Sequence, residues 1–103
     1  MRDPRNARLA QVIIHHSTRL QPGEAILIEA FDLQNGLVHD LVEEVCRAGG
    51  VPLVQLRTIP VIRQVLVSGS EAQIRLQAEV ELFQMKKVQA YVGLRASDNV
   101  SEL

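Results

Sequence analysis

The chain has 103 residues, 47% of them hydrophobic, and a net charge of −1, which is typical of one globular domain with a modest core. Its 11 Lys and Arg residues form no basic block and aromatic residues make up only 3%, so the composition argues against a nucleic-acid-binding surface. Apolar runs are too short for a membrane span and no signal peptide follows Met1, so we expect a cytoplasmic protein.

The first predicted helix begins at Asp3-Pro4, because Asp is a favoured N-cap and Pro suits the first helical position. It is expected to continue to about Arg19. One apolar stripe at helical spacing runs along it, made of Leu9, Val12, Ile13, His16 and Leu20. The pattern places His16 inside the packed stripe and His15 at its solvated edge. Pro22-Gly23 then predicts a turn.

A strand–helix–strand unit follows this turn. Residues 25–30 form a continuous apolar run, typical of a parallel strand that is buried on both faces. An amphipathic helix is predicted from about Gly36 to Ala48, and Gly49 is a suitable left-handed cap. The second strand, 51–56, contains Pro52, which has no backbone donor and therefore belongs at a strand start or on a sheet edge.

The sequence after residue 56 predicts two helices and a strand. A short helix spans 59–67, and Ser70 with Gln73 forms a capping box that begins a long helix ending near Lys86. A third strand covers 88–94. The element order α-β-α-β-α-α-β predicts an α/β fold, a single domain over 1–103 with a three-stranded parallel sheet in the spatial order 2-1-3 and helices around it.

The long helix carries two apolar stripes where one would cover a sheet. The first consists of Ile74, Ala78, Leu82 and Met85, and the second of Leu76, Val80 and Phe83 with Ala72 beside them. The second stripe is an interface candidate, either for another domain or for a second subunit. The alternative is that the short preceding helix folds over it.

The motifs that carry chemistry in other proteins are sparse in this sequence. His15 and His16 point about 100° apart on a helix and cannot chelate one ion together. His39 and Glu43 share a helix face but have no further ligand nearby in sequence, so we expect a solvated pair. Cys46 is the only cysteine, and its place beside the apolar face predicts a buried, inert thiol.

Ligands of open parallel sheets bind at the carboxyl ends of the strands. In this sequence those ends carry five charged residues: Glu29, Asp32, Arg57, Arg95 and Asp98. They are candidate ligand-binding residues by position alone, because charged loop residues are often only solvated. No glycine-rich phosphate loop follows the first strand.

Several segments resemble one enzyme family in order and spacing. They are Leu9-Ala10-Gln11-Val12-Ile13, Leu20-Gln21-Pro22-Gly23-Glu24 with the strand Ala25-Ile26-Leu27-Ile28-Glu29, Leu41-Val42-Glu43 with Arg47-Ala48-Gly49-Gly50, Val51-Pro52-Leu53-Val54, and Ala90-Tyr91-Val92-Gly93-Leu94-Arg95-Ala96-Ser97-Asp98-Asn99. Together they resemble the N-terminal domain of the thermophilic-type metalloaminopeptidases, the aminopeptidase T, S and II group.

This resemblance implies a hydrolase that removes N-terminal residues from peptides with two divalent metals, zinc, cobalt or manganese. The family's metal ligands lie in a C-terminal domain, and no position of this chain matches them, so we expect no catalytic or metal-binding residue here. The implied partners are that catalytic domain, the peptide substrate indirectly, and a second copy in a homodimer. The alternative is a stand-alone module that binds a small ligand or a protein partner.

Overall fold

The computed structural model describes residues 3–32 and 35–95 of the chain. Its helices and strands follow the predicted order, with boundaries that differ by one or two residues. They are α1 (Pro4–Val12), which continues into a π-helical turn (Ile13–Ser17), then β1 (Ala25–Phe31), α2 (Asn35–Arg47), β2 (Val51–Arg57), α3 (Ile59–Ser68), α4 (Glu71–Lys87) and β3 (Ala90–Arg95).

The three strands form one parallel sheet in the order β2-β1-β3, as the sequence predicts. β1 is central, and it pairs Ala25 with Val51 on one side and Ile26 with Ala90 on the other. Pro52 lies at the second position of the edge strand β2, where a missing donor is tolerated. Ile26, Leu27 and Ile28 are all buried, so β1 is covered on both faces.

The hydrophobic core lies between one face of the sheet and the pair α1 and α2. Alternate β1 side chains point to this face, and they pack against the inner positions of both helices. The buried cluster is Ala10, Ile14, Leu20, Ile26, Ile28, Leu41, Val45 and Val92. Glu44 is also buried on α2, and its carboxylate contacts the His15 ring at 2.6 Å. The core therefore belongs to the first half of the chain plus β3.

A π-helical turn follows α1 at the edge of this core. The backbone N–H of Thr18 donates to the carbonyl of Ile13, five residues earlier, so one extra residue is accommodated in the turn. Ala10 and Ile14 are buried, whereas Leu9 and Val12 are 38% and 48% exposed and His16 is exposed. The prediction that His16 packs in the apolar stripe is wrong, because the buried face of the helix runs through Ala10 and Ile14 instead.

Two further positions of the βαβ unit follow from local geometry. Gly49 ends α2 with φ of +82°, a conformation that glycine adopts without strain, and its carbonyl accepts from the N–H of Gly23 at 2.8 Å. Cys46 is exposed, so the prediction of a buried thiol is wrong. Cys46 lies one position after the buried Val45 and thus turns away from the core.

Candidate functional site

The face of the sheet opposite α1 and α2 carries a polar group of side chains near the strand ends. Glu29 alternates with the core residue Ile28 on β1 and so points to this opposite face. The pairing register places Glu29 beside Gln55 of β2 and Gly93 of β3. We refer to Glu29, Gln55, Arg57 and Tyr91 as the Glu29 network.

Glu29 joins all three strands through its two carboxylate oxygens. Arg57 of β2 donates from Nε to Oε2 at 2.7 Å, and the Tyr91 hydroxyl of β3 donates to Oε1 at 2.7 Å. Arg57 also donates from Nη2 to the side-chain oxygen of Gln55 at 2.8 Å. The Glu29 side chain is only 15% exposed, so these charge-assisted hydrogen bonds are partly shielded from water and orient the guanidinium.

Tyr91 has a perturbed acidity because of this arrangement. Partial burial of its side chain, followed by the hydrogen bond to the Glu29 carboxylate, raises the pKa of Tyr91 from about 10 to about 12. Both effects disfavour a second negative charge beside Glu29. The phenol is therefore held as a neutral donor at physiological pH.

A cleft of about 570 Å³ adjoins the network. It lies between α3, α4 and the end of β2, and Arg57 belongs to both the network and the cleft wall. Most of its lining is apolar: Leu56, Val61, Ile62, Val65, Leu66, Ile74 and Ala78. On the α4 side, Glu81 reaches to 3.9 Å from the Arg57 guanidinium. A guanidinium at the end of an apolar cleft of this size could orient a ligand that has one polar end.

The helices α3 and α4 bury none of their residues, although all of 59–87 is described. On α4 the least exposed positions are the glutamines 73, 77 and 84, so the side chains nearest the protein are polar. The stripe from Ile74 to Met85 does not cover the sheet, because its large members are about half exposed. Both apolar stripes of α4 are available to solvent.

The interface candidates lie outside the cleft, on the other flank of α4. Leu76, Val80 and Phe83 are 62%, 52% and 63% exposed, and none of them lines the space between the two helices. The alternative in which α3 folds over this stripe does not occur.

The predicted strand-end residues separate in the structure. Arg57 enters the network, and the Arg95 guanidinium stacks 4.8 Å above the Phe31 ring. Asp32 takes a different role, because both of its carboxylate oxygens accept from the N–H of Ile59 at 3.2 Å and so cap the start of α3. Asp98 lies outside the described residues.

The metal-binding candidates do not assemble. Within 3–32 and 35–95, no group of three or more His, Cys, Asp or Glu side chains could hold a metal ion, and His39 contacts Asp40 at 3.5 Å. Across the same residues, none of the helices has the length and apolar character to cross a bilayer.

Comparison with known proteins adds no assignment. No protein-family model matches the chain, and no curated protein matches it significantly.

Two residues of the network were missed or undervalued by sequence analysis. Tyr91 was assigned only to the third strand, and Gln55 only to the second. The signal that could have found them is the register of a parallel sheet, which places same-parity positions of neighbouring strands side by side. Glu29 is among the predicted strand-end candidates. Its role as the acceptor of hydrogen bonds from both Arg57 and Tyr91 follows only from that register.

Proposed function

We propose that the chain is a non-catalytic domain of a metal-dependent aminopeptidase, and that α3 and the cleft dock it against the catalytic domain. One observation carries this proposal. α3 has a single charged residue, Arg63, and its apolar side chains are exposed around its circumference, with Val61, Leu66 and Val67 exposed by 62%, 66% and 77%. Helices that are apolar on all sides are normally buried.

The segments that resemble the aminopeptidase family support the same proposal. They extend from α1 through the Pro22-Gly23 turn, β1, α2 and β2 to β3, and they leave out α3 and α4. α3, whose apolar side chains are exposed, lies outside these segments. In the proposed assembly, this domain would shape peptide access to a cytoplasmic catalytic domain that holds two zinc, cobalt or manganese ions.

The test begins with the gene. We expect the reading frame beyond Leu103 to encode about 300 further residues with the convergent Glu, His and Asp groups that two-metal hydrolysis requires. The complete product should hydrolyse leucine p-nitroanilide when cobalt is added, and the 103-residue chain should not. A stop codon directly after Leu103, or metal-dependent turnover by the short chain alone, would contradict the proposal.

A docking variant tests the surface itself. In the complete protein, Val61→Glu and Leu66→Glu place charges where we expect the catalytic domain and should lower thermal stability or change KM. Glu79→Gln on the exposed side of α4 serves as the matched control and should change neither. If the α3 variants behave like this control, then α3 does not contact the catalytic domain.

A second candidate function is a stand-alone ligand-binding module, which the position of Arg57 at the cleft favours. Arg57 and Thr58 both line the cleft, and the bonds of the Arg57 guanidinium to Glu29 and Gln55 hold it at the cleft wall. A specific anion should raise the melting temperature by mass action. Thermal-shift measurements with nucleotides and inorganic phosphate, repeated with Arg57→Gln, separate this candidate from the docking domain.

A further inference from the structure

The edge strand β2 is apolar, yet the structure leaves it exposed on both faces of the sheet. Val54, which lies beside Ile28 on the α2 side, is 37% exposed, and Leu53, which lies beside Leu27 on the other side, is 40% exposed. Leu56 is 62% exposed. An apolar strand of a parallel sheet is normally buried on both faces. The side of β2 that points away from β1 is therefore an uncovered apolar surface.

The backbone of β2 is also unpaired along this outer side. The N–H of Val51 donates to the carbonyl of Glu24, so the odd-numbered residues of β2 face β1 and the even-numbered residues face outward. Val54 and Leu56 therefore present both N–H and C=O at the open edge, whereas Pro52 presents only its C=O. No described residue donates to these outward groups or accepts from them.

These open groups specify the shape of what can cover them. The outward groups of Val54 and Leu56 repeat about every 6.7 Å, a spacing that another extended backbone matches. Pro52 lacks a donor, so it confines the strongest pairing to the carboxyl half of β2.

The exposed side chains specify the chemistry of this added strand. It would lie beside apolar side chains on both faces of the sheet, so it must be apolar on both of its own faces. Such a strand needs further elements above and below it to keep water away. A free peptide brings no such cover, so the edge fits a strand that belongs to a folded domain.

We propose that the catalytic domain of the complete protein adds a strand to the outer edge of β2. This inference rests on the function proposed above and specifies how the docking occurs. Leu56 supports this choice of partner, because it belongs both to the open edge and to the wall of the cleft beside α3. The added strand thus extends the sheet next to the docking surface, and it buries Val54 and Leu56.

Amide hydrogen exchange in the complete protein and in the 103-residue chain tests the proposal, followed by NMR with selectively labelled valine and leucine. In the 103-residue chain, the Val54 and Leu56 amides should exchange rapidly because they face solvent. In the complete protein they should exchange at least about 100-fold more slowly, because they donate to the added strand. The Val51 and Leu53 amides face β1, and as internal controls they should be protected in both proteins.

Two substitutions at Leu56 separate backbone pairing from burial of the side chain. Leu56→Pro removes the outward N–H but keeps the pairing with β1, so in the complete protein the Val54 amide should exchange at least about tenfold faster. Leu56→Ala keeps the N–H and should leave the Val54 amide protected. In the 103-residue chain, Leu56→Pro should retain the wild-type circular dichroism spectrum.

The outcomes distinguish this inference from the proposed function. Rapid exchange of both amides in a complete protein that hydrolyses leucine p-nitroanilide would overturn the added strand alone, and a stop codon directly after Leu103 would overturn both. Equal effects of Leu56→Ala and Leu56→Pro would show that only the side chain is buried. Protection that develops in the 103-residue chain as its concentration rises would assign the edge to a second copy instead.

Discussion

Glu29 shows how one carboxylate can join a small sheet. Its two oxygens accept from Arg57 on one edge strand and from Tyr91 on the other, so the central strand is tied to both neighbours by side chains as well as by backbone hydrogen bonds. Bonds to a charged acceptor are stronger than neutral ones, at about 1.5–3 kcal/mol each. The network therefore stabilises the face that α1 and α2 leave uncovered.

Tyr91 reports directly on this network, because it is the only tyrosine and the chain has no tryptophan. We expect its near-ultraviolet absorbance to titrate with a pKa of about 12. Glu29→Gln should lower that pKa toward 10, though not fully, since partial burial remains. Glu79→Gln is the control and should leave the titration unchanged. An identical titration in Glu29→Gln would show that Tyr91 does not donate to Glu29.

The same pKa fixes the sign of a stability effect. A raised pKa in the folded state means that the unfolded chain loses the Tyr91 proton first. The stabilisation that the protonated Tyr91 gives the folded state is therefore complete below about pH 10. It is lost as the pH rises toward about 12. In Glu29→Gln the folded and unfolded pKa values of Tyr91 should lie closer together, so stability should be lost over a narrower pH range. Urea unfolding at a series of alkaline pH values would measure this range.

Individual contacts were the hardest features to predict from the sequence. The presence of charged residues at the strand ends follows from the order of elements, but their partners do not. Asp32 illustrates the reason: it caps α3 from a left-handed backbone conformation with φ of 55°, and only the three-dimensional return of the chain brings Ile59 to it. Charge and position alone cannot distinguish such a cap from a ligand-binding residue.

Helices and strands were largely predictable, because hydrophobic period, caps and glycines act locally. The sheet order 2-1-3 could also be predicted, because right-handed crossovers allow few orders of three parallel strands. The exception within an element is the π-helical turn after α1. Leu20 follows this turn and reaches the core, and the hydrophobic period alone does not predict where an extra residue lies in a helix.

The π-helical turn gives a prediction at this scale. Ile14→Ala should lower the free energy of unfolding by about 2–4 kcal/mol, because it leaves a cavity in the core. His16→Ala should change it by less than about 0.5 kcal/mol, as expected for an exposed side chain. Urea unfolding of the two variants measures both values. Comparable losses in the two variants would mean that His16 packs in the core as the predicted stripe requires.

The two halves of the molecule differ in how much apolar surface they bury. The buried core residues lie in 10–45 and in β3, whereas none of the side chains of α3 and α4 is buried. Stability is therefore distributed unevenly, with the core in the βαβ unit and little burial in residues 59–87.

Hydrogen exchange should reveal this division. In dilute protein, amides of α3 and α4 should exchange through local opening well before those of β1 and α2, which should approach the global free energy of unfolding. Uniform protection over 59–87 and the core would show that the two helices are cooperative parts of one folding unit.

The central position of β1 has a consequence for the folding reaction. Its pairing with β2 joins residues 26 positions apart, such as Ala25 and Val51, whereas its pairing with β3 returns over 64 positions, from Ala25 to Gln89. Closing the longer loop costs roughly 0.8 kcal/mol more chain entropy. If contacts form in the order of increasing loop-closure cost, the β1–α2–β2 unit forms first. The helices α3 and α4 lie in the loop between β2 and β3, so they become ordered only when β3 pairs with β1.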